Sequence, residues 1–202
     1  MDSCPIEEAV RQTGIEFLDV VCANSDLIGA EVELVPLERR ENRLSDALGP
    51  LLQAYRFIIV DCPPSLGLLT VNSLAASDGV IVPVQCEYYA LEGLAYFTDA
   101  LSKIQMALNR RLKVEGIVMT MFDPRVSLAG QVRSEIEAHF KDRLFSTAVP
   151  RNVRLAEAPS FGKPILQYDP RSKGAEAYVL LARELLIRKG ARDLGPTAGP
   201  RR

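Results

Sequence analysis

The sequence predicts an α/β fold, a doubly wound and mainly parallel sheet with flanking helices. Two observations predict it. Short apolar segments alternate with longer segments of helical periodicity, which is the pattern of strands joined by helical crossovers. In addition, the segment 57–60 (FIIV) is apolar without polar alternation, which is typical of a strand that is covered on both faces.

The predicted elements follow one another with short connections. Strands are predicted, from runs of apolar and β-branched residues, at 17–22, 57–60, 80–84, 114–121 and 144–149. Helices are predicted at 23–35, 44–54, 66–76, 89–108, 128–140 and 174–188. Because helices separate consecutive strands, we expect the strands to lie parallel.

A carboxylate follows the predicted strand at 57–60. Asp61 falls at the carboxyl end of that strand, where parallel sheets place their ligand crevice. Pro63 and Pro64 then prevent an immediate helix and impose a stiff turn. A carboxylate at this place suits Mg²⁺ bound through water, which is the Walker B role in P-loop ATPases. The alternative is an acidic residue that closes a buried strand, and Asp61 alone leaves both interpretations open.

Charge and composition narrow the class of protein. The net charge is −2, so any nucleic-acid contact must come from a local basic patch. No apolar run approaches the ~20 residues that span a bilayer, and the acidic first residues are unlike a secretory signal. The sequence of residues 190–202 lacks the pattern of an amphipathic membrane-targeting helix, so we expect no membrane partner. The four cysteines are too far apart for metal-binding spacing, and we expect them to be reduced, mostly buried thiols.

Four segments together carry a resemblance to a known family. In chain order they are 61–70 (DCPPSLGLLT), 82–93 (VPVQCEYYALEG), 150–160 (PRNVRLAEAPS) and 168–175 (YDPRSKGA). In this order and spacing the chain resembles the ParA/Soj chromosome-partitioning ATPases. These are P-loop NTPases of the deviant Walker A class, which also includes MinD. The resemblance covers nearly the whole chain.

The resemblance implies cofactors and residues that bind them. ATP and Mg²⁺ are the implied cofactors, and Asp61 is the implied Walker B-like catalytic carboxylate and Mg²⁺ ligand. Pro150, Arg151 and Asn152 are implied to line the adenine pocket. The alternative for this segment is a plain turn from strand to helix, in which Asn152 caps the helix.

The resemblance also implies partners. Arg125 and Arg154 take the positions of basic residues that contact DNA phosphates without reading sequence. The alternative for both arginines is a surface salt bridge of little energetic weight. The family further implies a homodimer in the ATP-bound form, a ParB-type partner, and a cytoplasmic, nucleoid-associated location.

One motif of the family is absent from the 202 residues, the phosphate-binding G-x-x-x-x-G-K-[ST]. The single Gly-Lys pair, Gly162-Lys163, is followed by Pro164, and Glu157 stands where the first glycine belongs. We therefore expect residues 1–188 to form a ParA-like ATPase domain without its first strand–P-loop–helix unit and its second strand. We expect 189–202 to be a disordered tail.

Two functions stay open at this point. The first is a partition ATPase with ATP-dependent dimerisation, non-specific nucleoid DNA binding and ParB-stimulated hydrolysis in chromosome or plasmid segregation. The second is a non-catalytic, ParA-like module that binds DNA or a partner. The absent phosphate-binding motif favours the second for these 202 residues taken alone, because nothing replaces a cradle of backbone amides with a lysine.

Overall fold

The computed structural model describes residues 4–190. The strands are β1 (Arg11–Ile15), β2 (Leu18–Val20), β3 (Gly79–Gln85) and β4 (Lys113–Thr120). The α-helices are α1 (Ile6–Ala9), α2 (Leu27–Glu33), α3 (Arg43–Leu48), α4 (Leu68–Ala76), α5 (Ala90–Ala107), α6 (Ser127–Phe140), α7 (Val153–Glu157), α8 (Ile165–Tyr168) and α9 (Lys173–Arg188). Short 3₁₀ turns are Arg40–Asn42, Gly49–Leu51, Lys141–Arg143 and Ala158–Phe161. From residue 191 onward, the predicted tail lies outside the described residues.

The described residues divide into two compact units, 4–78 with 104–112 and 79–103 with 113–190. The first unit contains α1 to α4 and a hairpin of β1 and β2. The buried side chain of Asn72 on α4 accepts the N–H of Leu44 at 3.1 Å and donates to the carbonyl of Arg40 at 2.8 Å. The predicted strand at 17–22 is present as β2, but it pairs antiparallel with β1, whereas the sequence predicted a parallel neighbour.

The strand predicted at 57–60 does not form, and this prediction was wrong for the described structure. These residues have no regular secondary structure, and the side chain of Ile59 is 89% exposed. A strand requires a neighbour that accepts and donates its backbone hydrogen bonds. Among residues 4–190, no backbone group pairs with 57–60. An apolar run alone therefore does not make a strand here.

The second unit is built on a parallel ladder. Strands β3 and β4 run parallel, and Gln85 lies opposite Thr120 at the carboxyl end. The segment predicted as a strand at 144–149 lies on the other side of β4, also in the parallel direction. It is joined to β4 by hydrogen bonds from the N–H of Phe145 to the carbonyl of Ile117 (2.8 Å) and from the N–H of Val149 to the carbonyl of Met119 (2.8 Å).

Helices cover both faces of this ladder. One face packs against α5 and α6 through a buried cluster of Val84, Leu94, Ile117, Met119, Val132, Ile136 and Leu144. The opposite face carries Val118, Phe145 and Val149, which pack against Leu181 and Leu185 of α9. Successive residues of β4 thus point to opposite faces, and both faces are apolar. The prediction of an α/β fold with parallel strands and flanking helices is confirmed.

The cysteines differ from expectation. Cys4, Cys22 and Cys62 are exposed, and Cys86 is half-buried with its thiol directed at the carbonyl of Thr120 at 3.7 Å. All four are free thiols in this structure, and the expectation that most of them are buried was wrong. Three of them lie in or beside the first unit's irregular segments, where no regular strand covers them.

Candidate functional site

The candidate site lies at the carboxyl edge of the parallel ladder in the second unit. Beyond the end of β4, Phe122 forms a parallel bridge with Pro150. The N–H of Phe122 donates to the carbonyl of Val149 at 3.0 Å, and the N–H of Arg151 donates to the carbonyl of Phe122 at 3.4 Å. These bonds place the loop after β4 beside the segment that leads into α7. The structure thereby brings together the segments that carry Arg125, Arg151 and Arg154.

Arg125 is held by a carboxylate two residues before it. Its Nε and Nη2 atoms donate to the two carboxylate oxygens of Asp123 at 2.9 and 2.7 Å, and its backbone N–H donates to Oδ1 at 3.0 Å. The Arg125 side chain is nevertheless 87% exposed, while that of Asp123 is 24% exposed. The partly buried Asp123 carboxylate therefore fixes the orientation of the Arg125 guanidinium group, which still faces solvent.

The ion pair of Arg125 with Asp123 leads to a testable prediction about the pKa of Asp123. The Arg125 guanidinium, with its backbone N–H, lowers the pKa of Asp123 to about 2. Because the folded-state pKa is depressed, the pair is fully formed above the ordinary pKa of ~3.9 and is lost as the pH falls towards 2. In Arg125→Ala we expect the pKa of Asp123 to rise towards its ordinary value, measured by NMR titration of the carboxyl carbon. A value that stays near 2 in this variant would show that Arg125 is not the cause.

Arg154 lies in a denser group of charges. It occupies the first turn of α7, where its Nη1 atom donates to Oε2 of Glu157 at 2.9 Å. Its Nε atom is 3.5 Å from Oδ2 of Asp169. The hydroxyl of Tyr168 donates to the same oxygen of Glu157 at 3.1 Å. The Arg154 side chain is 55% exposed, so solvent and large ligands reach it.

The salt bridges that sequence reasoning offered as the alternative for Arg125 and Arg154 are thus present. The DNA-contacting role of both arginines stays a prediction. Their partners, Asp123, Glu157 and Asp169, were not predicted as site residues from the sequence. Spacing is the available signal for the first two, because a carboxylate two residues away in a turn or three residues away on a helix meets its arginine. Asp169 carries no such signal.

Asn152 has the capping role that the sequence offered as one of two alternatives. It is the N-cap of α7, and its Oδ1 atom accepts the N–H of Arg154 at 2.8 Å. Pro150 and Asn152 are half-buried, while Arg151 is exposed. The cap uses only the oxygen of the Asn152 side-chain amide, so the NH₂ group is chemically able to contact a base. The adenine-pocket role of 150–152 therefore stays a prediction.

The Gly162-Lys163 pair does not fit the phosphates of ATP. A phosphate cradle consists of free backbone N–H groups at a helix N-terminus together with a lysine. Gly162 has a φ of 61° and ends the 3₁₀ turn Ala158–Phe161. Pro164, which has no N–H, then precedes the four-residue helix α8. We therefore do not assign Gly162 and Lys163 to the binding of ATP phosphates.

Asp61 belongs to the first unit. It is exposed, and it follows the irregular segment 57–60. The hydroxyl of Thr70 donates to the carbonyl of Ser65 at 2.6 Å and so closes the turn after the two prolines. Across residues 4–190 no group of three or more histidine, cysteine or acidic side chains is placed to hold a metal ion. The Mg²⁺ role of Asp61, which requires one carboxylate and bound water, stays a prediction.

Comparisons with known proteins agree with this fold. A family model described as an AAA domain matches residues 1–114. The chromosome partitioning protein ParA of Myxococcus xanthus is 56% identical over 184 residues, which are 91% of this chain and 65% of that protein. The sporulation initiation inhibitor protein Soj of Bacillus subtilis is 52% identical over 185 residues, which are 92% of this chain and 73% of that protein. This chain thus spans less than two thirds of the Myxococcus protein's length.

A solved structure also matches nearly the whole of this chain. Cobyrinic acid a,c-diamide synthase from Mycobacterium smegmatis, crystallised with ADP and magnesium, superposes with a TM-score of 0.78 at 32% identity. The match covers 98% of this chain and 73% of that one. The parallel ladder with helices on both faces and this neighbour define an α/β protein of the P-loop ATPase class. Within that class, the chain belongs to the ParA/Soj family of chromosome-partitioning ATPases. The resemblance carried by its four motifs is confirmed.

Proposed function

We propose that this chain binds DNA non-specifically as the DNA-contacting part of a chromosome or plasmid partition protein, with Arg125 and Arg154 as the phosphate contacts. The bridge between Phe122 and Pro150 carries the proposal, because it sets the two arginine-bearing segments side by side at one edge of the sheet. Arg151, whose N–H donates to the carbonyl of Phe122, lies on the same edge and is exposed.

The exposed guanidinium groups support contact with phosphate. In the part of the chain that the structure describes, Asp123 engages Nε and Nη2 of Arg125, and the two N–H groups of Nη1 make no bond. Arginine presents its donors in a planar fork that matches phosphate oxygens. Contacts of this kind fix a protein on the duplex without reading bases. The net charge of −2 supplies no general attraction to DNA, so such binding depends on these local arginines.

The wider role follows from membership of the family. A partition protein of this family is proposed to act as a homodimer with a ParB-type partner and to associate with the nucleoid through DNA. Asp61 is proposed as its Mg²⁺ ligand through water, and Pro150, Arg151 and Asn152 as contacts to the adenine of ATP. No helix among residues 4–190 has the length and apolar character that crossing a bilayer requires.

A direct binding experiment tests the proposed function. Two duplexes of equal length and unrelated sequence are titrated with the 202-residue chain, and anisotropy of a DNA label is followed. We expect equal affinity for both duplexes and a steep loss of affinity between about 50 mM and about 200 mM salt, because released counterions dominate non-specific binding. Absence of binding at the lower salt, or a clear preference for one sequence, would contradict the proposal.

For a protein that consists of these 202 residues alone, one observation favours a second candidate function, a non-catalytic module that binds DNA or a protein partner. The 202 residues contain no phosphate-binding motif, and their Gly-Lys pair has no cradle of N–H groups. For a protein of these residues alone, we therefore expect no rise in melting temperature with Mg-ATP, because a ligand stabilises a protein only by binding its folded state. A rise that saturates with Mg-ATP would contradict this expectation and favour the ATPase. ADP and magnesium tested separately serve as controls.

A further inference from the structure

We propose that Glu157 restrains DNA binding by holding Arg154 in an ion pair that a phosphate must displace, whereas Asp123 positions Arg125 for the same ligand. The inference rests on the proposed DNA-binding function and adds a regulation of that site. Both carboxylates pair with an arginine, and the two pairs have opposite consequences because they engage different edges of the guanidinium group.

The pair at Arg125 leaves one edge open. Asp123 takes Nε and Nη2, which form the side edge of the guanidinium group. The end edge, formed by Nη1 and the second N–H of Nη2, stays available for two parallel bonds to phosphate oxygens. Asp123 also accepts the backbone N–H of Arg125, so its own position is fixed. A phosphate can therefore bind Arg125 without breaking this pair.

The pair at Arg154 obstructs both edges. Glu157 takes Nη1, which belongs to the end edge, and Asp169 lies 3.5 Å from Nε, which belongs to the side edge. Two parallel bonds from Arg154 to one phosphate then require that Arg154 separate from Glu157 or from Asp169. Tyr168 holds Glu157 in place by donating its hydroxyl to the bonded oxygen at 3.1 Å.

The charge state of Glu157 supports its role as a competitor. The hydrogen bonds from Arg154 and from Tyr168 lower the pKa of Glu157, so the group is anionic near neutral pH. The Glu157 side chain is only partly covered. An ion pair with this much solvent contact is weak, so the highly charged duplex can displace it. The pair therefore acts as a restraint on affinity and does not abolish binding.

A set of charge-matched variants tests the inference by anisotropy with one short duplex at about 50 mM salt. Glu157→Gln and Asp123→Asn each remove one negative charge and replace the carboxylate by an amide of nearly the same size. We expect Glu157→Gln to tighten binding about threefold, which is the factor that an exposed ion pair supplies. We expect Asp123→Asn to weaken binding by a similar factor. Asp169→Asn, at the longer distance, is expected to tighten binding less.

Whether the expected gain in DNA affinity depends on Arg154 is tested in the Arg154→Ala variant. In Arg154→Ala, the further change Glu157→Gln is expected to leave DNA affinity unchanged, because the arginine with which Glu157 pairs is no longer present. A gain that persists without Arg154, or equal tightening by Glu157→Gln and Asp123→Asn, would mean that net charge alone acts and would overturn the inference. Glu157→Gln that binds no tighter than the parent would overturn it as well. If Arg154→Ala leaves the parent's affinity unchanged, the proposed DNA contact itself fails.

Discussion

Replacing Arg125 and Arg154 together by alanine is expected to weaken non-specific DNA binding about tenfold at about 50 mM salt. Each arginine supplies one exposed, charged contact to phosphate, which is worth about threefold in affinity, so the loss of two such contacts accounts for about tenfold. The two side chains lie on adjoining segments, because Phe122 pairs with Pro150 at the carboxyl edge of the ladder. They are therefore expected to serve one duplex together, and each single variant is expected to lose part of the effect.

Arg133→Ala is the matched control for this double variant. Arg133 lies on α6 in the same unit and pairs with Glu137 at 2.8 Å, four residues along the helix. It carries the same charge and an equally ordinary ion pair, but it does not lie in the loops at the carboxyl edge. We expect its replacement to change affinity little. An equal loss in Arg133→Ala would show that total charge, and not this edge, determines binding.

Phe145→Ala is expected to destabilise the chain by about 3–5 kcal/mol, the range for removing a fully buried aromatic ring. The ring is 1% exposed and packs with Val118 and Val149 under α9. The guanidinium carbon of Arg188 lies 4.2 Å from the ring centroid. The ring packs directly against the backbone of β4, because a Cβ added to Gly116 would lie 2.3 Å from a ring carbon.

The expected loss is measured by urea denaturation as a change in the free energy of unfolding. Phe161→Ala is the matched control, since that ring is 62% exposed and its removal leaves no buried cavity. We expect the control to cost well under half as much as Phe145→Ala. Equal effects of the two substitutions would contradict the placement of Phe145 at the centre of this core.

The same ring links the core to the candidate site. Phe145 is the second residue of the segment 144–150 that runs beside β4, and Pro150 ends this segment at the edge where Arg151 and Arg154 lie. Glu184 of α9 further holds this segment by accepting the N–H groups of Ser146 and Thr147 at 2.8 and 3.0 Å. The position of the proposed DNA contacts thus depends on packing between α9 and the segment 144–150.

Most elements of the second unit could be predicted from the sequence. Strand β3 and helices α5, α6 and α9 lie within one or two residues of their predicted bounds. These elements have strong local signals, because buried parallel strands are continuously apolar and surface helices repeat their apolar residues at helical spacing. Asn152 and Ser172, which cap α7 and α9 with their side chains, are polar residues of the kind that begin helices.

The first unit was harder to predict for a physical reason. The segment 57–60 has the composition of a buried strand, but strand formation depends on a neighbouring backbone that composition does not reveal. The hairpin of β1 and β2 turns through Phe17, whose φ of 63° is unusual for a bulky residue. No asparagine-glycine or aspartate-glycine pair marks that turn, so the sequence carried no hairpin signal.

The candidate site was predictable in part. Arg125, Arg154 and the 150–152 segment were chosen through the family resemblance, and no local pattern would have selected them from the other basic residues. Their proximity depends on the pairing of β4 with 144–150, which a whole helix separates in sequence. The meeting of Arg154 with Asp169 depends on the fold between α7 and α9, so only the structure reveals the carboxylates that surround this arginine.

The salt dependence of DNA binding by the parent chain and by the Arg125→Ala, Arg154→Ala double variant is the most direct test of the account. Each phosphate contact contributes about 0.9 to the slope of log Kobs against log salt. We predict that the slope of the double variant is shallower by about 2, with Arg133→Ala matching the parent. An unchanged slope in the double variant would mean that these arginines do not contact phosphate, and it would contradict the assignment of the site.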